Sequence, residues 1–194
     1  MIDESLEQIA ARIRACRLCE AELPLGPRPV FSVDERARIL VAGQAPGTRV
    51  HETRVPFNDP SGDRLRDWMG IDRETFYDVE RMAIIPMGFC YPGTGDWGDL
   101  PPMKRCAETW RQALLDRLPN LELVVAVGQY AVRWHLPEAR GSLTEIVRAQ
   151  ASSGGPVMPL PHPSPRNNIW LSKNRWFEKE VVPVVRGRVA AVLA

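Results

Sequence analysis

The sequence predicts an α/β fold. A short, four-stranded, mainly parallel sheet lies between two layers of helices, as a three-layer α/β/α arrangement. Two observations carry this expectation. Apolar runs at 38–42, 82–87, 122–127 and 157–160 read as strands. Stretches with helical periodicity lie between them, and strands that alternate with helices form parallel sheets covered on both faces. The length, 194 residues, suits one domain with a sizeable core, so 1–194 is read as a single domain.

The elements follow in order. Residues 3 to 15 read as an amphipathic helix. Leu6, Ile9 and Ile13 form its apolar stripe, and Glu4, Glu7, Arg12 and Arg14 lie away from it. Cys16 and Cys19 stand at its end, and residues 20 to 37 are a proline-rich connection. The run 38–42 is the first strand. A long polar loop follows from Gly43 to Gly62, then a short helix to Gly70. The second strand candidate, Met82 to Met87, runs on to Cys90, and 91–102 is a loop. Lys104 to Leu118 is a helix with Trp110, Leu114, Leu115 and Leu118 on its apolar face. Glu122 to Val127 is the clearest strand by β-branched content, and Gly128 to Leu136 turns into a helix. Residues 151–155 are small. Val157 to Leu160 is a short strand that delivers His162. The tail from Trp170 to Leu193 is mostly helical, with Pro183 expected to break or kink it.

Hydrophobic residues make up 44% and charged residues 25%, which is the balance of a soluble globular protein. A net charge of +1 is no nucleic-acid signature, so any such binding face is a local patch. The start, Met1-Ile2-Asp3-Glu4, is acidic and lacks the regions of a signal peptide, and no run is long enough to span a membrane. A cytoplasmic protein is expected. There, Cys16, Cys19, Cys90 and Cys106 read as a metal or cofactor site before they read as two disulfides. Cys16 and Cys19 form a tight pair, and fifteen residues separate Cys90 from Cys106. A zinc ribbon more often shows two tight pairs. One pair plus two scattered cysteines suits a cubane cluster, with zinc and unligated buried thiols as the alternatives.

The loop at 43–62 concentrates chemistry where ligands sit in open α/β sheets, at the carboxyl end of a strand. It offers Gln44, His51, Phe57, Asn58 and Asp59, which together suit a flat polar ring. Gly43-Gln44-Ala45-Pro46-Gly47 with Pro56-Phe57 resembles the first motif of the uracil-DNA glycosylase superfamily. Leu160-Pro161-His162-Pro163-Ser164-Pro165-Arg166-Asn167 resembles its second, and the four cysteines resemble its iron–sulfur branch, families 4 and 5. These features run from Cys16 to Asn167 and so cover most of the chain.

The resemblance implies a DNA repair enzyme that flips uracil out of DNA and hydrolyses its N-glycosidic bond. The expected partner is uracil-containing DNA, with no membrane, and the expected state is a monomer. It also implies a [4Fe–4S] cluster on Cys16, Cys19, Cys90 and Cys106, in a structural role. His162 is the expected donor to the departing base, against the plainer reading of a histidine satisfied in a turn. Phe57 is the expected stacking platform, against plain core packing. Gly43, Gln44 and Ala45 stand where the strand meets the base, and Gln44 contacts the base or positions water. Ala45 replaces the water-activating aspartate of the best-known branch. Asp59, just before Pro60-Ser61-Gly62, is the candidate for that role, against a helix N-cap, and the two do not exclude each other. His51 is a weaker candidate that reaches for the sugar or its phosphate. Arg49, Arg54, Ser164, Arg166 and Asn167 are expected to hold DNA, with Thr48 and Lys173 beside them, against solvated surface charges. Arg166 and Asn167 stand where relatives place the wedge that fills the gap left by the base.

Pro86 stands where many relatives read uracil with an asparagine, four residues before the third cysteine. Uracil is then read by backbone groups, by Asn58, or less strictly, which opens a broader range of deaminated bases. A protein that binds damaged or abasic DNA with poor turnover is the alternative from another class. A nucleotide-binding domain lacks support, because the chain has no Gly-x-x-x-x-Gly-Lys loop.

Overall fold

The computed structural model describes residues 4–96, 98–151 and 153–194. Residues 1–3, Trp97 and Ser152 lie outside the described residues, and with them the acidic start, Asp3 of the first expected helix and single positions of the stretches 91–102 and 151–155.

Four strands form the central sheet: β1 (Ile39–Ala42), β2 (Met82–Ile84), β5 (Leu123–Val127) and β6 (Val157–Leu160). Their order is β2-β1-β5-β6 and every pairing is parallel. A separate small hairpin pairs β3 (Thr94–Gly95) with β4 (Gly98–Asp99). The α/β class expected from the alternation of elements is the class observed. Strand β1 has β2 on one side and β5 on the other. The chain therefore leaves β1 in one direction and later returns to its opposite side. That reversal opens a crevice at the carboxyl ends of the strands.

Alternation along the strands builds two cores. Ile39, Val41, Met82, Ile84, Val125, Val127, Met158 and Leu160 face one layer of helices. That layer holds α3 (Pro60–Met69), α4 (Arg73–Tyr77) and α9 (Val182–Leu193). Leu40, Ala42, Ala83, Ile85 and Ala126 face the other, which holds α1 (Leu6–Arg14), α5 (Lys104–Leu115) and α6 (Gly128–His135). Strands buried on both faces are apolar throughout, which is why they read as runs. Helix α1 begins at a capping box, with Ser5 and Gln8 bonding each other's backbone, and it buries Leu6, Ile9, Ala10 and Ile13.

Several elements differ from expectation. The loop 43–62 contains a helix, α2 (Thr48–Thr53). Buried Val50 anchors it, and one apolar position in six residues is too sparse a stripe to show a period. The helix after the loop begins at Pro60, because Asp59 caps it and proline at the first turn gives up no hydrogen bond. The helices α4 and α7 (Leu143–Gln150) were not foreseen, although Ser142 and Glu145 form a capping box at the start of α7. The helix from Lys104 ends at Leu115, short of Leu118. In the tail, α8 (Asn168–Lys173) is followed by a wide π turn over Phe177–Val181 and then by α9. Pro183 lies in the first turn of α9, directly after the π turn, so the change of helix type falls where proline was expected to break or kink the tail.

One close approach fixes the loop that leaves β1. A Cβ at Gly62 would lie 1.7 Å from the Phe57 carbonyl oxygen, a backbone atom that has no room to move. Phe57 itself is held at φ 52°, a left-handed conformation that costs a residue with a Cβ roughly 1–3 kcal/mol. The variant Gly62→Ala is expected to lose stability by at least about 1–3 kcal/mol, the usual cost of forcing atoms into filled space. Urea unfolding of the variant beside the wild type checks this.

Candidate active site

The crevice holds a cavity of about 320 Å³. This is at the lower end of the range for small-molecule sites, about 300–1,000 Å³. Three chain segments supply most of its wall: Gly43 to Val50 with Pro56, Phe57, Asp59 and Ser61 after β1, Ile84 and Pro86 at β2, and His162 with Ser164 to Arg166 after β6; Val30 and Asp99 complete it.

The segment after β1 is held to the backbone beyond β2. Met87 N–H donates to the Gly43 carbonyl at 2.8 Å and Gly88 N–H to the Gln44 carbonyl at 2.9 Å. The parallel ladder thus continues past the strand ends and lines up Gly43 and Gln44 with Pro86. The Phe57 ring lies against Gly43, where an added Cβ would meet Phe57 Cζ at 3.0 Å. It packs edge-on against Phe76 with centroids 6.0 Å apart. The Arg66 guanidinium, buried, donates to the Phe57 carbonyl at 3.4 Å, and Tyr77 Oη donates to the Pro56 carbonyl at 2.7 Å. Asp59 Oδ1 accepts from Gly62 N–H at 2.9 Å and caps α3, while the same carboxylate lines the cavity. Cap and cavity wall are one residue.

His162 is set by its own loop. Ser164 N–H donates to His162 Nδ1 at 3.2 Å, so in the neutral ring the proton sits on Nε2. Asn167 Nδ2 donates to the His162 carbonyl at 2.7 Å. Arg64, on α3, donates to the Ser164 carbonyl at 3.1 Å and to Asn168 Oδ1 at 2.8 Å, which ties the His162 loop to the helix that Asp59 caps. Burial lowers the His162 pKa from its ordinary 6.5, against the pull of Asp59 and Asp99. The ring is therefore a neutral donor near two carboxylates.

The residues expected at the site divide. Gly43, Gln44, Ala45, Arg49, Phe57, Asp59, His162, Ser164 and Arg166 line the cavity together. Gln44 Nε2 donates to the Leu100 carbonyl at 3.3 Å. Asn58 lies outside the lining and accepts from Arg73 at 3.0 Å. His51 is 4% exposed, also outside the lining, with its ring 6.0 Å from that of Tyr91. Arg54 ends α2 in a left-handed conformation, away from the cavity. Asn167 is turned to its own loop. Asp99 and Arg64 were missed by sequence reasoning. Asp99 comes from the small hairpin, and no local pattern announced it. Pro86 lines the cavity as expected, and its carbonyl accepts from the guanidinium of Arg111 at 2.9 Å.

The four cysteines, none in a disulfide, ring a second, small cavity lined also by Ile13, Leu23, Phe89 and Trp110. Phe89 N–H donates to Cys106 Sγ at 3.4 Å. Burial pushes the Cys90 thiol up to about 11 and Cys106 up to about 12. Among the described residues, no three His, Cys, Asp or Glu side chains converge closely enough to hold a single ion.

A family model described as the uracil DNA glycosylase superfamily matches residues 30–186. The chain belongs to this superfamily. Its fold is similar to the solution structure of a candidate uracil DNA glycosylase from Methanosarcina acetivorans, with a TM-score of 0.50 and 19% identity. The match covers 82% of this chain and 97% of that one. Membership makes DNA the expected ligand of the crevice, and no helix among the described residues is long and apolar enough to cross a membrane.

All three histidines of the chain titrate below their ordinary value in the folded state, and burial is the main cause for each. His135, beside the Arg111 cation, is held at about 3. Below pH 6.5 the unfolded chain takes up protons that the folded chain refuses. Stability is therefore full above about pH 6.5 and falls as the pH drops toward 3. His135 alone contributes a slope of at most about 1.4 kcal/mol per pH unit. Urea melts at pH 7 and pH 5 are expected to show this loss, and His135→Gln is expected to reduce it.

Proposed function

We propose that the protein is a monofunctional uracil-DNA glycosylase: it takes uracil extruded from DNA and hydrolyses the N-glycosidic bond to leave an abasic site. The observation that carries this reading is His162, neutral, with Nδ1 engaged by the Ser164 N–H and Nε2–H left as a donor in the cavity wall.

The chemistry follows from the charges. The sugar C1′ is hidden in a duplex, so the nucleotide has to leave the stack. The bond breaks toward a cationic sugar and a uracil anion. Nε2–H of His162 meets charge developing on a uracil carbonyl, and burial keeps the donating imidazole neutral. Asp59 offers negative charge to the sugar cation and an acceptor that orients water. Its use of one oxygen as a cap holds the carboxylate still. Phe57 gives the base a face, with stacking of order 1–3 kcal/mol. Arg49 and Arg166, at the cavity rim, suit the flanking phosphates.

Pro86 favours a wider base range as a second reading. It has no N–H and no side-chain amide, and Arg111 engages its carbonyl, so this wall reads the base by shape.

Single-turnover cleavage of uracil-containing DNA tests the roles. His162→Ala is expected to lose ~10²–10³ in rate with DNA affinity retained. Asp59→Asn keeps a capping oxygen and is expected to be slow yet nearly as stable as wild type, while Asp59→Ala loses both rate and roughly 0.5–2 kcal/mol. A fast, stable Asp59→Asn confines Asp59 to its cap.

We also propose that Cys16, Cys19, Cys90 and Cys106 hold a [4Fe–4S] cluster. Four thiols around one cavity, without convergence on a point, fit a group that offers a separate iron to each sulfur. The cluster supplies structural cross-linking and no redox step. It joins the end of α1, through Cys16 and Cys19, to the segment after β2 and to α5. Protein purified without oxygen is expected to be brown, with absorption near ~400 nm and about four irons per chain. Stoichiometric zinc overturns the assignment.

A further inference from the structure

Arg111 is the largest fully buried side chain among the described residues. A buried charge is costly unless an opposite charge answers it. Among the described residues no carboxylate pairs with Arg111. Its Nη1 donates to the Ile85 carbonyl at 2.7 Å and to the Pro86 carbonyl at 2.9 Å. Its Nη2 donates to His135 Nε2 at 2.7 Å, so His135 is a neutral acceptor, and Arg111 Nε has no hydrogen-bond partner. Carbonyls, a neutral imidazole and the Trp134 ring, whose centroid lies 5.8 Å from the guanidinium carbon, solvate the charge, but no anion among the described residues pairs with it. Burial lowers its pKa to about 10, which keeps it protonated at neutral pH. Arg111 shares helix α5 with Cys106, and its sequence neighbour Trp110 lines the cysteine cavity.

We propose that Arg111 is the counter-cation of the four-cysteine site and the residue that ties that site to the base cavity. The proposal rests on the reading that the cysteines hold a cluster. Four thiolates make such a cluster a net anion, and a buried guanidinium nearby answers it. The same guanidinium grips Ile85 and Pro86, the stretch that leads from the cavity wall at Pro86 to Cys90 in four residues. Arg111 is a positioning residue, since it touches neither the cavity nor the thiols.

The test compares wild type with Arg111→Gln, Arg111→Lys and His135→Gln, each loaded with iron and sulfide without oxygen. The readouts are the rate of iron loss to a chelator and the midpoint potential. Arg111→Gln keeps a carbonyl-binding amide but loses the charge. It is expected to lose iron measurably faster than wild type, with a more negative potential. Arg111→Lys and His135→Gln keep the cation and are expected to stay near wild type in both. Wild-type behaviour of Arg111→Gln overturns the proposal. Equal failure of Arg111→Gln and Arg111→Lys, including failure of both to load, also overturns it, because the fork and not the charge then matters. A wild-type protein that binds no iron overturns the cluster reading itself, a distinct result.

Discussion

The contact between the Phe57 carbonyl and Gly62 governs the cavity at the carboxyl ends of the strands. It is possible only because position 62 lacks a side chain, and it doubles the chain back within five residues. Three consequences follow. Phe57 is forced into a left-handed conformation that lays its ring over Gly43 at the end of β1. Asp59 is left with an extended backbone at the helix start, where it caps α3. Helix α3 then runs under the sheet and buries Leu65, Trp68 and Met69 in one of the two cores. The strain at Phe57 persists because buried Arg66 holds its carbonyl from the other side. The Phe57 ring and the Asp59 carboxylate are thus positioned by the same backbone turn, and the core anchors both.

The second half of the cavity is brought to the first by Arg64. Its two hydrogen bonds, to Ser164 and Asn168, reach across about a hundred residues of sequence from the helix that Asp59 caps to the loop that carries His162. Within that loop, Ser164 serves four neighbours: its N–H orients the imidazole, its carbonyl receives Arg64 and the Asn167 N–H, and its hydroxyl receives the Arg166 N–H at 3.2 Å. The prolines at 163 and 165 have no N–H to compete for these acceptors. His162 is accordingly fixed in one tautomer before any ligand arrives, which is the preorganisation that makes a donor effective against developing charge.

Much of this was legible in the sequence, and for identifiable reasons. Strands buried on both faces leave unbroken apolar runs, so β1, β2, β5 and β6 were found, together with the residues that leave them at Gly43 and His162. The cavity-lining positions near those strand ends followed from the two motifs. What escaped had no local signature. Asp99 reaches the cavity from a two-residue strand whose fold depends on Gly98 at φ 126°. Arg64 looked like any surface arginine, since its partners lie a hundred positions away. Asn58 sits between the stacking Phe57 and Asp59 in sequence, yet the left-handed turn at Phe57 sends it outward to Arg73. His51 falls on the buried side of α2, a helix whose single apolar anchor gave no period to read.

On the proposed reading, the back wall of the cavity decides how strictly a base is read. An amide at position 86 would satisfy a specific edge of the base, and a site of that kind rejects a mismatched partner by about 10⁴–10⁵ because its own buried groups go unpaired. Pro86 offers an apolar ring and a carbonyl already bonded to Arg111. A wall of shape alone discriminates by only about 10–200-fold. Selection then shifts to the other end of the reaction. On the proposed reading, His162 rewards any base that leaves readily as an anion with charge on a carbonyl near Nε2–H, and Phe57 stacks every flat ring alike. Deaminated bases share that leaving-group property because deamination replaces an exocyclic amine with a carbonyl. Arg111 takes up the one polar group that position 86 retains, so on the proposed reading the cavity and the cysteine site share a residue whose chemistry faces away from the base.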